Sequence, residues 1–380
     1  MHPYDRSVSP TRGGRVRRTL AVGAVGAGAV LSARVLLRPQ PQTARRLVDW
    51  DDVRRIAVSR TGDPGRGAGI NVEALESAYT EMAARVAPFM TEVCQVPLTA
   101  YPRFIALDRR GFIDANLGMV QRLLAPVERI RATIPESLAT GMSRRVLDRY
   151  VGELFGLMSR RVLGQYDPVL ALEDLPGSAR QPSALYLVEP NIAGIERELH
   201  LTDTDLRPWL ILHELTHAWQ FELHPWLGEH LEGLMRGLML DALSADGKTL
   251  LPSRQMIGRL PETVREQVQT VRHVQAVMSV LEGYSNFLMH RAGRAAIRGS
   301  ERLEAAMHQR RRQRGPMERL ILAITGLEMK MRQYEVGEQF AVGVDDRAGL
   351  NVLNRVWESA EMMPTLDELR HPERWVRRAA

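Results

Sequence analysis

Residues Ile211–Leu223 read ILHELTHAWQFEL, and most of what the sequence predicts follows from this stretch. His213 and His217 stand four residues apart, and Glu214 directly follows the first of them. Positions i and i+4 of a helix lie one turn apart on the same face, so both imidazoles can reach one cation. Two histidines at this spacing are typical of a Zn²⁺ site, with each nitrogen at about 2.0–2.1 Å from the metal. Glu214 would then project beside the cation, where it can deprotonate a bound water.

The sequence around the motif is apolar on nearly every side, which predicts that this helix is buried. The apolar residues are Ile211, Leu212, Leu215, Ala218, Trp219 and Phe221. A polar group buried without a partner costs about 2–7 kcal/mol, and one metal ion would satisfy two histidines and a glutamate together. The alternative is a buried cluster in which the same three side chains bond to one another without a metal.

A catalytic zinc site needs a third protein ligand and leaves one position for water. The extended H-E-x-x-H-x-x-G-x-x-H pattern does not fit, because Gln220 replaces the glycine and His224 lies one residue too far along. A glutamate on a second helix is the other common solution, and Glu232 and Glu282 are the candidates. Glu282 is preferred because it lies in VQAVMSVLEGYSNFLMH, an apolar stretch in which a glutamate has to be paired or metal-bound.

Three other side chains could take part in chemistry. Tyr284 and His290 follow Glu282 and are of the kind that stabilises an oxyanion in hydrolases, although core packing is the preferred interpretation of Tyr284. Cys94 is the single cysteine, so an intrachain disulfide is excluded. Its apolar context, PFMTEVCQVPL, predicts a small core residue rather than a nucleophile.

The chain as a whole has the composition of a globular protein, with 44% hydrophobic and 25% charged residues among 380. Most segments after Leu47 have helical periodicity, whereas RFIALDR (Arg103–Arg109) and ALYLVEPN (Ala184–Asn191) are predicted to be strands. Helices with few strands and no regular βαβ alternation predict an α+β fold that is predominantly α-helical. We expect one domain over residues 47–380.

Residues 1–46 are predicted to be an N-terminal tail. Within residues 15–37, a basic flank with Arg17 and Arg18 precedes a run rich in glycine, alanine and valine. This pattern is typical of an export signal or a membrane anchor, although the run is shorter than the roughly 18 residues of a spanning helix. The alternative is a helix of a cytoplasmic protein, so the two predicted locations are cytoplasmic and membrane-anchored or exported.

The formal net charge is +6, partly because of basic runs at Arg12–Arg18 and Arg310–Arg314. Neither run is interleaved with aromatic residues or accompanied by a known reader motif, which indicates solvated segments rather than a nucleic-acid interface. We expect a peptide or protein as the partner of the motif helix, and no nucleic acid.

Several further stretches match a known family. They are VDWDD, LDRRGFIDAN, VLGQYDP, YLVEPNI, HELTHAWQFELHPWL, MSVLEGYSNFLMHRAG, GLEMKMRQYEVGEQF and NRVWESAEMMPTLDELRHPERWVRR. Together they resemble the zinc-dependent metallopeptidases, or zincin-like hydrolases, of actinobacteria and relatives, which are associated with deazaflavin-coenzyme biosynthesis and have no established substrate. The resemblance covers residues 47–378.

The resemblance implies a zincin-like core in which a short edge strand lies above the HExxH helix and binds extended substrate backbone. Residues 184–191 would supply that strand. The family pattern carries over to His213, His217 and Glu282 as zinc ligands and to Glu214 as general base, which describes a metallopeptidase of the gluzincin type.

The sequence departs from the family pattern at His290, where an acidic residue is usual. If that carboxylate supports a metal ligand, its loss would weaken metal binding. This departure favours the alternative function, a non-catalytic zincin-like scaffold that binds a peptide or protein partner. The presence of Glu214 argues against it, because a structural metal site needs no general base.

Overall fold

The structure is a computed structural model, and it describes residues 48–62, 71–131, 144–167, 183–247, 260–297, 299–312 and 327–379. The tail predicted over residues 1–46 lies outside these ranges, as does the candidate export or anchor segment at residues 15–37, and both stay predictions. In the described part of the chain, no helix is both long enough and apolar enough to cross a membrane.

Helices dominate the described residues. The α-helices are α1 (Trp50–Arg60), α2 (Val72–Cys94), α3 (Arg109–Arg131), α4 (Arg144–Ser159), α5 (Glu189–Glu198), α6 (Asp203–Glu222), α7 (Pro225–Gly247), α8 (Leu260–Ala296), α9 (Ser300–Arg312), α10 (Leu327–Ala348), α11 (Leu350–Leu353), α12 (Leu366–Arg370) and α13 (Pro372–Ala379). Two 3₁₀ helices, Asn354–Trp357 and Ala360–Met362, lie between α11 and α12. The strands are β1 (Arg103–Leu107), β2 (Gly164–Asp167) and β3 (Ala184–Val188). The predicted α+β fold, predominantly α-helical, is confirmed.

The three strands form one small sheet in the order β1-β3-β2. β3 is parallel to β1 and antiparallel to β2. The assignment of residues 184–191 to an edge strand is therefore wrong: β3 is the central strand, and α5 begins at Glu189. Four of its five residues are buried, as suits a strand that is covered on both faces. The antiparallel strand at the edge is β2, which the sequence did not predict.

The motif helix α6 lies in the main apolar core, as predicted from its sequence. It packs against α2, α8 and β2. Its buried apolar residues point in every direction around the helix axis: Leu206, Leu210, Ile211, Leu212, Leu215, Ala218 and Trp219. Phe221, at its C-terminal end, is only half-buried. The polar side chains of α6 are therefore held in a rigid, closely packed setting.

A buried polar network holds the first turns of α6. The guanidinium of Arg207 donates to Glu189 Oε2 at 3.0 Å and to Glu196 Oε1 at 2.8 Å, which joins α6 to α5. Arg207 also bonds to the hydroxyl of Tyr79 on α2. Since all these groups have partners, the network fixes the start of the motif helix without leaving a buried charge unpaired.

Helices α8 and α10 cross at two glycines. A Cβ atom on either Gly283 or Gly337 would overlap the backbone of the other helix. The helix backbones are therefore in direct contact at this point, and any side chain here would force them apart. Glu282 directly precedes Gly283, so this crossing fixes the position of Glu282 along the axis of α6.

A second, smaller apolar cluster joins α1, α3 and α4. Its buried members are Val48, Trp50, Val53, Ala57, Ile113, Leu117 and Phe155. Glycines again allow close packing, because a Cβ on Gly156 would lie 2.9 Å from the backbone oxygen of Ala57.

Candidate metal centre

Helices α6 and α8 bring His213, His217 and Glu282 together. The Nε2 atoms of His213 and His217 lie 3.8 Å and 3.7 Å from Glu282 Oε2. One ligand atom from each residue lies within 4.8 Å of the other two. The two imidazole rings are at 90° to each other, with centroids 4.9 Å apart. Two imidazole nitrogens and one carboxylate oxygen are a donor set that suits zinc, and their separations exceed hydrogen-bond length, as expected of groups that share an ion.

The three side chains are covered but remain accessible. Between 14% and 19% of each side chain is exposed. A structural zinc site is normally closed by four protein ligands, whereas a catalytic site keeps one position open. The partial exposure and the group of three residues resemble the second kind of site.

Each histidine is also held from outside the group. The ring of Trp209 stacks on His213, with centroids 6.2 Å apart and planes at 10°. His217 Nδ1 lies 2.9 Å from Gln220 Oε1, and Gln220 Nε2 donates to the backbone oxygen of Leu281 at 3.1 Å. Both imidazoles therefore have a defined orientation, because stacking and hydrogen bonding restrict rotation of the rings.

Glu214 is buried beside the group, with only 5% of the residue exposed. Its Oε2 atom accepts a hydrogen bond from the backbone N–H of Tyr166 at 3.2 Å. Burial raises the pKa of Glu214 to about 7, and the negative charge of Glu282 adds to the rise, whereas His217 and the Tyr166 N–H oppose it. A carboxyl with a pKa near neutrality can both take up and release a proton at physiological pH.

The strand β2 makes room for Glu214. A Cβ atom on Gly164 would lie 2.8 Å from Glu214 Oε1. Tyr166, two residues further along β2, also attaches the strand to α6. Its hydroxyl donates to Glu222 Oε1 at 2.9 Å, and its ring stacks on Phe221. The edge of the sheet is thus held against the motif helix at the position of Glu214.

The structure places the remaining candidates elsewhere. Tyr284 is buried, and its hydroxyl bonds to Asn354 Oδ1 at 2.8 Å, so the core interpretation of this residue is confirmed. His224 packs on the rings of Trp219 and Trp357. Among the described residues, Glu232 is outside the metal-binding group, which contains Glu282 instead.

Two further predictions concern His290 and Cys94. His290 lies two turns beyond Glu282, and its ring nitrogens are 3.0 Å from Glu304 Oε2 and 2.7 Å from Glu338 Oε1. At the position where the resemblance predicts an acid, this chain therefore has a base held between two acids. Cys94 is a core residue, as predicted: burial raises the pKa of its thiol to about 12, which keeps it protonated.

Sequence reasoning missed Gly164, Tyr166 and Gln220. Gln220 was noted only for breaking the extended zinc motif. Gly164 and Tyr166 lie in VLGQYDP, one of the stretches that resemble the family, but their contact with Glu214 depends on packing between distant segments.

Comparisons with known proteins identify the family of the chain. A family model described as zincin-like metallopeptidase matches residues 48–376. The chain belongs to this family. A search of curated proteins finds no match.

One solved structure is similar over most of its length. It comes from Chloroflexus aurantiacus and is described as "a putative hydrolase with a novel fold". The two sequences are 30% identical, the alignment covers 87% of this chain and 98% of the other, and the TM-score is 0.65. The family and this neighbour support a metal-dependent hydrolase, and the zincin-like fold implies a metal, usually zinc.

Proposed function

We propose that this protein is a zinc-dependent peptidase of the gluzincin type. His213, His217 and Glu282 would hold the zinc ion, and Glu214 would be the general base. The observation that carries the proposal is that two separate helices place a ligand atom of each of these three residues within 4.8 Å of the other two. The bound zinc would supply Lewis-acid polarisation of the scissile carbonyl and acidify a water.

Glu214 has the position and environment of a proton carrier. It would accept a proton from the attacking water and deliver it to the nitrogen of the leaving amine. The Tyr166 N–H bonds to Oε2 and so holds the carboxylate in one orientation. A nearby cation lowers the pKa of such a carboxyl, which favours its ionised, proton-accepting form.

The edge strand β2 supports a peptide as the substrate. Val188 N–H donates to Leu163 O at 2.8 Å, so the alternating pattern of an antiparallel pair turns the backbone groups of Gly164 and Tyr166 away from β3. Tyr166 N–H stays bonded to Glu214 Oε2, so an extended peptide would add to this edge through the backbone groups of Gly164 and the carbonyl oxygen of Tyr166.

The test is Glu214→Gln, assayed for hydrolysis of a broad peptide library and for bound zinc. We expect zinc to be retained and the rate to fall at least about a hundredfold, because general-base catalysis contributes about 10²–10⁴. Glu229→Gln is the matched control, an exposed glutamate on the next helix, and should leave the rate unchanged. Full hydrolysis by Glu214→Gln would contradict the mechanism. Peptide binding without any turnover by the wild type would favour the non-catalytic scaffold.

A further inference from the structure

We infer that Gln220 is a positioning residue, which holds His217 as the tautomer with its proton on Nδ1 and ties it to the helix that carries Glu282. The consequence for zinc binding rests on the proposed function. The tautomer of His217 is set by protein atoms alone.

The direction of each bond follows from what its groups can do. The backbone oxygen of Leu281 can only accept, so the side-chain amide of Gln220 must present its NH₂ to that oxygen, at 3.1 Å. The other end of the amide, Oε1, then faces His217 Nδ1 at 2.9 Å. Since Oε1 also can only accept, the neutral imidazole must carry its proton on Nδ1.

The other ring nitrogen is thereby left as a lone-pair donor. His217 Nε2 faces Glu282 Oε2 at 3.7 Å, within the group of three ligand atoms. A metal ligand has to present a deprotonated nitrogen, and the hydrogen bond at the other nitrogen selects which one that is. Gln220 therefore leaves His217 Nε2 without a proton, as a metal ligand requires.

Gln220 also joins the two helices of the site. Leu281, whose oxygen it contacts, directly precedes Glu282 on α8, whereas Gln220 and His217 lie on α6. Gln220 is completely buried, so its side-chain amide depends on these bonds rather than on water. Gln220 thus fixes the orientation of His217. It also fixes the distance between His217 and the backbone next to Glu282.

Two substitutions separate these bonds. Gln220→Leu removes both of them at similar volume, whereas Gln220→Glu keeps an oxygen acceptor for His217. Thr216→Val is the matched control, a buried polar residue beside His217 whose hydroxyl donates within α6, to Leu212 O at 2.9 Å. All variants are made in the full chain.

The first readout is the tautomer of His217 in the metal-free protein, by ¹⁵N NMR with labelled histidine and His217→Ala for assignment. We expect the Nδ1–H form in wild type, Thr216→Val and Gln220→Glu, and a mixed or Nε2–H form in Gln220→Leu. An unchanged Nδ1–H form in Gln220→Leu would overturn the inference.

The second readout is the affinity for Zn²⁺ alone, by competition with a chelator. We expect Gln220→Leu to bind zinc about 10–100-fold more weakly, with part of the loss recovered in Gln220→Glu, which keeps the acceptor for His217 but has no donor for Leu281 O. Equal affinity in Gln220→Leu and wild type would overturn the positioning role. A wild type that binds no Zn²⁺ but shows the Gln220-dependent tautomer would contradict the proposed function and leave the inference standing.

Discussion

The position of Glu214 depends on Gly164, a residue that has no side chain. The carboxylate occupies the space that a Cβ on Gly164 would take, and it accepts a bond from the backbone of Tyr166 two residues along. The general base is therefore positioned by the main chain of β2 rather than by another side chain. A backbone that is paired to a sheet moves little, which gives Glu214 a fixed position relative to the ligands.

Gly164→Ala should displace Glu214, because the new methyl group would lie 2.8 Å from Oε1. We expect hydrolysis to fall by up to about a hundredfold, the cost of misplacing a catalytic group by about 1 Å. Zinc content should not change, because the three atoms nearest to the new methyl group all belong to Glu214 and not to a metal ligand. The measurement is kcat/KM beside zinc per chain.

Gly194→Ala is the control for this substitution. A Cβ on Gly194 would meet no atom within 4 Å, and alanine is favoured over glycine inside a helix. Its activity should equal that of the wild type. If Gly164→Ala were as active as Gly194→Ala, the contact between β2 and Glu214 would have no part in catalysis.

Among the helices, α8 is the one whose placement matters most for the site. It carries Glu282, contacts α6 through Leu281 and Gln220, and crosses α10 at Gly283 and Gly337. Further along α8, His290 bridges Glu304 on α9 and Glu338 on α10. These contacts explain one family-like stretch that has no catalytic residue of its own, because GLEMKMRQYEVGEQF supplies both Gly337 and Glu338 to the packing of α8.

The His290 bridge should make stability depend on pH. Hydrogen bonds to Glu304 and Glu338 raise the pKa of His290 to about 10, against the opposing effect of burial. Because the folded pKa exceeds the unfolded value of about 6.5, the stabilisation is complete below pH 6.5 and is lost as the pH rises towards 10. Since 42% of the side chain is exposed, solvent screening limits it to about 1 kcal/mol.

The corresponding measurement is the free energy of unfolding of wild type and His290→Gln between pH 5 and 10. We expect the difference to be largest at the acidic end and to vanish near pH 10. His371→Gln is the control, at an exposed histidine whose Nδ1 lies 3.7 Å from Glu373 Oε1, and should give a small difference throughout. A His290→Gln difference that grew with pH would contradict the assigned ion pairs.

Over the whole chain, local patterns predicted much of the fold and of the site. Apolar periodicity indicated the helices, and the apolar setting of Glu282 distinguished it from Glu232. Strand β2 could not be predicted, because its four residues, Gly164–Asp167, show no apolar alternation and are defined by pairing with β3. The central place of β3 and the role of Gln220 depend on contacts between segments far apart in sequence, which no local pattern contains.

The C-terminal segment also takes its place through contacts with residues far away in sequence. Asn354 donates to Val93 O at 3.1 Å and so closes the C-terminal end of α2, while Trp357 packs against Trp219 of the motif helix, with ring centroids 5.9 Å apart. The stretch NRVWESAEMM thus contributes Val356, Trp357 and Met363 to the core, whereas Glu358 and Glu361 are exposed. Its contribution is to packing, which is why its sequence gave no indication of a catalytic role.

The most direct test of the metal centre is the zinc content of the purified full-length protein, measured by elemental mass spectrometry beside His217→Ala, Glu282→Ala and Glu232→Ala. We expect about one zinc ion per chain in wild type and Glu232→Ala, and its loss in the other two variants, because a catalytic site uses three protein ligands. A folded wild type that takes up no zinc when zinc is supplied would contradict the assignment, as would a Glu282→Ala variant that keeps its zinc.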